Sequence, residues 1–232
     1  MGAEQEIDDE LHERATTFFA AVKWDVLTLL ASSLRNGISC EFREEFPMSH
    51  LNTVRRITFA DGTSWIARLR LPELNAVDSR DALDNACALK VEIASMKLLK
   101  SKTSIPVPEI YSYSVDPTNN VGAPHVLMDY IDDTVATELW MARDGYSDLF
   151  GTPEQDWRFR QQTAEVQVTL SSFKFDQIGS LYQNEETPEF FIGPDLKTEK
   201  GPWASSMDCY TDLAFHALEV CVADAPADER RE

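Results

Sequence analysis

The sequence predicts an α+β protein in which an antiparallel sheet carrying one helix comes first and further helices follow. Alternating apolar and polar residues over 52–71, interrupted by the turn dipeptide Asp61-Gly62, indicate two strands joined by a tight turn. Helical spacing of apolar residues occupies 82–100 and returns after residue 136. Because the strands are grouped before the later helices, we expect two lobes and not an alternating parallel sheet.

The individual elements follow from changes in this periodicity. Helices are predicted at 13–35, 82–100, 136–142, 154–173 and 206–223, and the first of them should stop at Asn36-Gly37. Strands are predicted at 38–46, 52–59, 110–115 and 124–131, with a further strand at 65–68 and a loop-and-strand excursion at 178–195.

Composition excludes several classes of function. Lysine and arginine number 21 against 40 acidic residues, which gives a formal net charge of -19. Such a surface repels phosphate backbones and anionic lipids, so neither a nucleic-acid partner nor a membrane partner is expected. Four scattered cysteines without a Cys-x-x-Cys pair predict reduced thiols, no metal site and, with an acidic start lacking a signal peptide, a cytoplasmic protein.

Six short sequence segments follow one another in a fixed order along the chain. They are Asn52-Thr53-Val54 through Pro72, Glu92 through Leu99, Ile105–Pro108, Leu127–Ile131, Ile178–Tyr182 and Tyr210–Asp212. In this order, over residues 24–220, they resemble the aminoglycoside phosphotransferase family, a branch of the protein-kinase-like fold, and its fungal members most. The resemblance implies ATP with Mg²⁺ and a small-molecule hydroxyl as acceptor.

The resemblance also implies how the chain is divided. Residues 1–23 would be an acidic extension with the start of a helix, and 24–131 a nucleotide-binding lobe with its hinge. Residues 132–223 would form a partial helical lobe, and 224–232 a disordered tail.

A strand cation is needed to hold the phosphates of ATP, and two arginines qualify. Arg68 and Arg70 are two residues apart and therefore point to the same face of their strand. The residue two positions before the cation should cover adenine, and Ile66 is the apolar choice, which favours Arg68. The alternative is a solvent-facing arginine on an exposed strand.

Three further positions are assigned by the resemblance. Glu92 would pair with the strand cation; it has no lysine partner in its own helix, although simple solvation is the alternative. The carbonyl of Asp129 and the N–H of Ile131 would bind adenine, with Met128 behind the ring. A buried strand without a ligand is the alternative for this segment.

The loop at 47–51 occupies the place of a phosphate-covering turn but contains no glycine. Glycine normally lets backbone N–H groups approach phosphates closely, so a weaker grip is expected. Ser49 would donate a hydroxyl hydrogen bond to the phosphates, and Asn52 would fix the turn.

The residues that perform phosphoryl transfer in this family are not found. None of the four histidines begins a His-x-Asp sequence, which would supply the base, and no later magnesium ligands follow. We therefore assign no catalytic residue and no metal ligand, and the chain resembles a family member cut short before the catalytic loop.

Two functions remain open. The first is an ATP-dependent phosphotransferase whose chemistry lies in residues outside the chain, and the second is a non-catalytic, pseudokinase-like binding or regulatory module. A chain that lacks the core of the second lobe should leave the 154–173 helix partly uncovered, which predicts a protein partner or self-association through an apolar patch.

Overall fold

The structure, a computed structural model, describes residues 13–43, 52–72, 85–141 and 149–224. Its strands are β1 Cys40–Phe42, β2 Asn52–Phe59, β3 Ser64–Arg70, β4 Ile110–Ser114, β5 His125–Asp129, β6 Ser180–Gln183 and β7 Phe190–Gly193. Its helices are α1 Glu13–Ala21, α2 Trp24–Leu34, α3 Asn85–Lys102, α4 Ala136–Met141, α5 Pro153–Ser171 and α6 Ser206–Asp224.

Five strands form one antiparallel sheet in the order β1-β2-β3-β5-β4, and β6 pairs with β7 in a separate hairpin. The helix α3 connects β3 to β4, and three helices follow β5. The predicted fold class, an α+β protein with an antiparallel-sheet lobe followed by helices, is confirmed.

One face of the sheet is covered by the first two helices. Ile57, Trp65 and Leu69 are at most 3% exposed and belong to the same apolar cluster as Phe18 of α1 and Leu27 of α2. Alternate strand residues point to opposite faces, so this cluster defines the back of the sheet. The helices before β1 are therefore part of the core of the first lobe, while the proposed domain boundaries stay a prediction.

The predicted single helix over 13–35 is broken at residues 22–23, and the two halves are bent by 62°. The N–H of Lys23 donates to the carbonyl of Val121 at 3.0 Å, in the loop before β5. The Trp24 indole donates to the Phe19 carbonyl at 3.0 Å. A bond to a distant loop thus replaces a helical bond, which the local apolar spacing could not reveal.

No single described helix has the length and apolar character needed to cross a membrane. The bent pair α1 and α2 satisfies these two criteria only when both helices are taken together.

The turn between β2 and β3 forms as the Asp61-Gly62 dipeptide predicts. Gly62 has a φ of +86°, which glycine adopts without strain, and its N–H donates to Phe59. Asp61 accepts from the Thr63 N–H at 3.0 Å and pairs with Arg35 at 2.9 Å. The hydrogen bond from Arg35 is the main reason that the pKa of Asp61 falls to about 2.

The opposite, front face of the sheet carries α3. Leu89 and Ile93 of this helix are almost fully buried against Val126, with Met128 and Ile110 beside them. Helix α3 and the first two helices therefore lie on opposite faces of the sheet. Residues 82–84 of the predicted helix lie outside the described residues.

The last two helices, α5 and α6, are largely exposed in the described structure. On α5 only Asp156 is buried, where it accepts hydrogen bonds from Arg160 and from the N–H of Phe150. Large apolar side chains that are at least 43% exposed on these helices are Trp157, Val168, Leu170, Met207, Tyr210, Phe215, Leu218 and Val222. Their use as a binding surface stays a prediction, and residues 225–232 of the predicted tail lie outside the described residues.

Replacing a buried hydroxyl should stabilise the sheet. Thr53 of β2 is fully buried, and within the described residues its Oγ1 has no hydrogen-bond partner. Thr53→Val removes this desolvated group and should raise the free energy of unfolding by about 1 kcal/mol. Urea denaturation followed by tryptophan fluorescence measures the change.

Thr198→Val is the matched control. This threonine is also buried, but its hydroxyl donates to Asp195 at 3.1 Å. Its replacement should lower the free energy of unfolding. Equal destabilisation by both substitutions would contradict the expectation for Thr53.

Stability should also depend on the protonation of His125. This residue is 3% exposed with Nδ1 2.9 Å from the Ala123 carbonyl, and burial lowers its pKa below 6.5. The unfolded chain takes up the proton first as the pH falls, so the free energy of unfolding should decrease from pH 7 towards about pH 5. In the His125→Asn variant the part of this pH-dependent decrease in the free energy of unfolding that His125 causes should disappear. In the control His216→Gln it should persist.

Candidate functional site

Alternation along β3 places three of its side chains on the front face of the sheet. Ile66, Arg68 and Arg70 are each half-buried, whereas Trp65 and Leu69 point into the back core. The two arginines therefore share a face with Ile66, as the two-residue spacing predicts.

Arg68 meets Glu92 across the gap between β3 and α3. Arg68 Nη1 donates to Glu92 Oε1 at 2.6 Å, and the two side chains are 17% and 38% exposed. Glu92 is thus engaged with the strand cation and is not simply solvated. Among the described atoms, the second terminal nitrogen of Arg68, Nη2, is buried without a hydrogen-bond partner. Among the described atoms, one terminal nitrogen of the guanidinium is therefore paired and the other is not.

Arg70 has a different partner. Its Nε and Nη2 both donate to Asn85 Oδ1, at 3.0 and 2.9 Å. The two candidate cations are therefore distinguished by the structure: Arg68 pairs with the predicted acid, and Arg70 fastens the beginning of α3 to the sheet.

Cross-strand register identifies the neighbours of Arg68. Val54 of β2 lies opposite it on one side and Val126 of β5 on the other. Met128 lies opposite Ile66, so the two predicted adenine contacts are adjacent. Val54 was not among the predicted site residues, although alternation from Asn52 along the same strand could have identified it.

The segment that leaves β5 is held by the carboxylate of Asp129. Asp129 Oδ2 accepts from the N–H of Glu109 at 2.8 Å, and Oδ1 accepts from the hydroxyl of Tyr111. Tyr111 is the extra residue where the register between β4 and β5 shifts, and its ring stacks on Trp65 at 3.9 Å. Burial and the hydrogen bond to Asp129 raise the pKa of Tyr111 to about 12.

Tyr130 and Ile131 continue this segment. The guanidinium of Arg56, which lies opposite Ile66 in β2, sits 3.9 Å from the centre of the Tyr130 ring. Ile131 is 53% exposed, and among the described residues its N–H has no hydrogen-bond partner. Arg56 thus joins the site through a cation–π contact that no sequence spacing indicated.

Two predicted site residues remain, one at the start of β2 and one among residues that the structure does not describe. Asn52 begins β2 opposite Arg70. Ser49, with the glycine-free loop 47–51, lies outside the described residues.

No group of three His, Cys, Asp or Glu side chains in the described parts of the chain could hold a metal ion. The roles of the predicted site residues in ligand binding stay predictions.

Comparison with known proteins gives partial matches. No family model matches the chain. The chain is 28% identical over 112 residues to a subtelomeric hrmA-associated cluster protein of Aspergillus fumigatus, covering 44% of the chain and 20% of that protein. It is 28% identical over 141 residues to altered inheritance of mitochondria protein 9 of Vanderwaltozyma polyspora, covering 58% and 21%. The Kluyveromyces lactis protein of the same name is 32% identical, covering 49% and 18%.

The chain therefore spans about a fifth of the length of the curated relatives that it matches. These relatives are fungal, as the resemblance implied, but their names do not include aminoglycoside phosphotransferase. A Chaetomium thermophilum Rio2 kinase structure, a complex with ADP/Mg²⁺ and phosphoaspartate, matches 82% of the chain and 57% of its own length. The TM-score is 0.41 at 16% identity, too low to support an argument about the site.

The expected cytoplasmic location is contradicted by these relatives. Altered inheritance of mitochondria protein 9 is mitochondrial by name in at least six of the fungi matched. The expectation rested on unpaired thiols and on an acidic start without an evident signal peptide, and the four cysteines are indeed free. Free thiols indicate reducing conditions and do not identify a compartment.

Removing the Asp129 carboxylate should loosen the end of β5. Asp129→Ala leaves the Glu109 N–H and the Tyr111 hydroxyl without their acceptor, so the free energy of unfolding should fall by about 2 kcal/mol. Tyr111→Phe, which removes only one of these bonds, should cost about half as much. Urea denaturation compares the two variants, and equal losses would contradict the double role of Asp129.

Proposed function

We propose that the described lobe binds ATP and belongs to a kinase-like phosphotransferase acting on a small-molecule hydroxyl. The observation that supports this proposal most is the Arg68–Glu92 pair, whose members come from β3 and α3. In phosphoryl-transfer enzymes such a pair orients a cation towards the α- and β-phosphates. Its formation here depends on tertiary structure, because the two residues are 24 positions apart.

The charge of the protein explains why a single oriented cation matters. With a formal net charge of -19, the surface as a whole repels a nucleotide triphosphate. Glu92 fixes one nitrogen of Arg68, while Nη2 is buried and has no partner among the described atoms. A phosphate oxygen is the acceptor that best matches a buried guanidinium nitrogen.

An adenine ring would lie beside this cation on the same face of the sheet. Ile66 and Met128 are adjacent across β3 and β5, and Val54 lies beside Arg68, so an apolar surface is present. The N–H of Ile131 has no partner among the described residues and is available to an acceptor on the base. The hydrogen bonds of Asp129 hold the backbone of this segment in place.

Transfer of the phosphoryl group requires more than these residues. A base and metal ligands are needed to aim the hydroxyl and neutralise the transferred group. The described residues contain no metal-binding cluster, and the sequence has no His-x-Asp. A second candidate function is a module that binds the nucleotide without transferring phosphate.

A thermal-shift titration with ATP, in the presence and absence of Mg²⁺, tests nucleotide binding. Arg68→Ala should weaken ATP binding about tenfold to hundredfold, because a charge-assisted contact contributes roughly 1.5–3 kcal/mol. Arg35→Ala is the control, since Arg35 pairs with the Asp61 carboxylate at the β2–β3 turn and stacks on Phe59 on the back side of the sheet. It should bind ATP within about twofold of the unmodified chain if both variants stay folded.

The outcomes separate the candidates. Binding that only Arg68→Ala weakens supports the nucleotide site. Formation of ADP in the presence of hydroxyl-bearing small molecules would then distinguish a phosphotransferase from a binding module. No stabilisation by ATP under either condition, or equal weakening by the two arginine variants, would overturn the proposal.

A further inference from the structure

The β6–β7 hairpin lies against α3, the helix that carries Glu92. Three side-chain contacts join them: Lys90 pairs with Glu185 at 2.7 Å, Lys97 donates to Gln183 at 3.2 Å, and Cys87 lies 3.4 Å from the Tyr182 hydroxyl. Each contact links residues at least 86 positions apart in the chain. The hairpin thus crosses about three turns of the helix.

The hairpin is held together by its own strand pairing and side-chain contacts. Its strands pair from Ser180 opposite Gly193 to Gln183 opposite Phe190. The Tyr182 hydroxyl also donates to the carbonyl of Pro194 at 3.1 Å, and its ring stacks on Phe191. The side chains that reach α3 are therefore carried by a paired strand and not by a free loop.

The sheet side of α3 is held by an apolar cluster and by two polar contacts, Glu92 with Arg68 and Asn85 with Arg70. Two residues of the helix, Leu89 and Ile93, pack on Val126 in a small cluster. Among the described elements, β6 has a more extensive backbone approach to α3 than any strand of the five-stranded sheet. The position of α3 therefore depends on the hairpin as well as on the sheet.

Helix geometry places the hairpin opposite the ion pair. Glu92 follows Lys90 by two positions, which is about 200° around the helix axis. Lys97, seven positions beyond Lys90, returns to the hairpin side, where its ammonium also lies 4.7 Å from the centre of the Tyr113 ring. The hairpin thus holds α3 from the side away from Arg68.

We propose that the β6–β7 hairpin is a strap that positions α3, and through it Glu92, so that Arg68 is oriented for the nucleotide. This inference rests on the proposed nucleotide site. Glu185, Gln183 and Tyr182 act as positioning residues, since each touches α3 and none touches Arg68.

Charge reversal at the exposed contact tests the strap. Glu185→Lys and Lys90→Glu each turn an attraction into a repulsion, and each should weaken ATP binding about twofold to fivefold. The Lys90→Glu/Glu185→Lys double variant restores the attraction and should recover the affinity. Glu185→Lys makes the net charge less negative, and Lys90→Glu makes it more negative. A general electrostatic effect would therefore strengthen ATP binding in the first variant and weaken it in the second, and that result would overturn the proposal.

A second comparison tests whether the effect passes through Glu92. In a Glu92→Gln background the carboxylate that the strap positions is absent, so Glu185→Lys should weaken ATP binding no further. An undiminished loss in that background would show that the hairpin acts on the nucleotide by another route, and the proposal would fail.

Amide hydrogen exchange provides a readout that needs no nucleotide. Exchange along α3 should be faster in each single reversal and should return to the original rate in the double variant. Unchanged exchange would overturn the strap whatever the nucleotide result. If the exchange changes as expected but the chain binds no ATP, then the hairpin does position α3 and the proposed nucleotide site is wrong.

Discussion

The contact between Arg68 and Glu92 is the interaction on which the functional interpretation depends. It joins a strand to a helix that also contacts the sheet through the Arg70–Asn85 hydrogen bonds and a small apolar cluster. Both groups are partly withdrawn from water, so their attraction is stronger than that of a fully exposed pair. A guanidinium held on one side by a carboxylate keeps a fixed direction for its other nitrogen, and that direction is what a phosphate site requires.

The layers around the sheet explain why this contact lies where it does. The helices α1 and α2 cover the back of the sheet, and the aromatic and aliphatic residues of β2 and β3 are buried there. The front face is then left for α3 and for the half-buried side chains of β3. Charged residues can occupy this face because it is only partly covered, whereas the back core would not accept an arginine without a large desolvation cost.

Much of the fold could be predicted from the sequence because its signals are local. Alternation identified the strands, and Asp61-Gly62 and Asn36-Gly37 marked turns whose glycines have positive φ values. Two-residue spacing placed Arg68 and Ile66 on one face. The break before Trp24 could not be predicted, because it depends on a bond to Val121 in a distant loop. The irregularity at Tyr111 likewise depends on pairing with another strand.

The contacts of the candidate site could be predicted only in part, because they too join residues that are distant in the sequence. The pairing of Arg68 with Glu92 was an expectation carried by resemblance, and the contact of Arg56 with Tyr130 had no signal in the spacing of either residue. The packing of β6 on α3 was not foreseen at all, since its contacts join residues about 90 positions apart in the chain.

The distance in sequence between α3 and the β6–β7 hairpin has a consequence for how such chains diverge. A substitution that changes the charge of Lys90 or the reach of Lys97 alters a contact made by a segment far away in the gene. Homologous sequences that preserve this arrangement should therefore vary at the two segments together, with compensating pairs of residues. Recombination between diverged copies, with a crossover between the two segments, would separate co-adapted partners while leaving each segment locally intact.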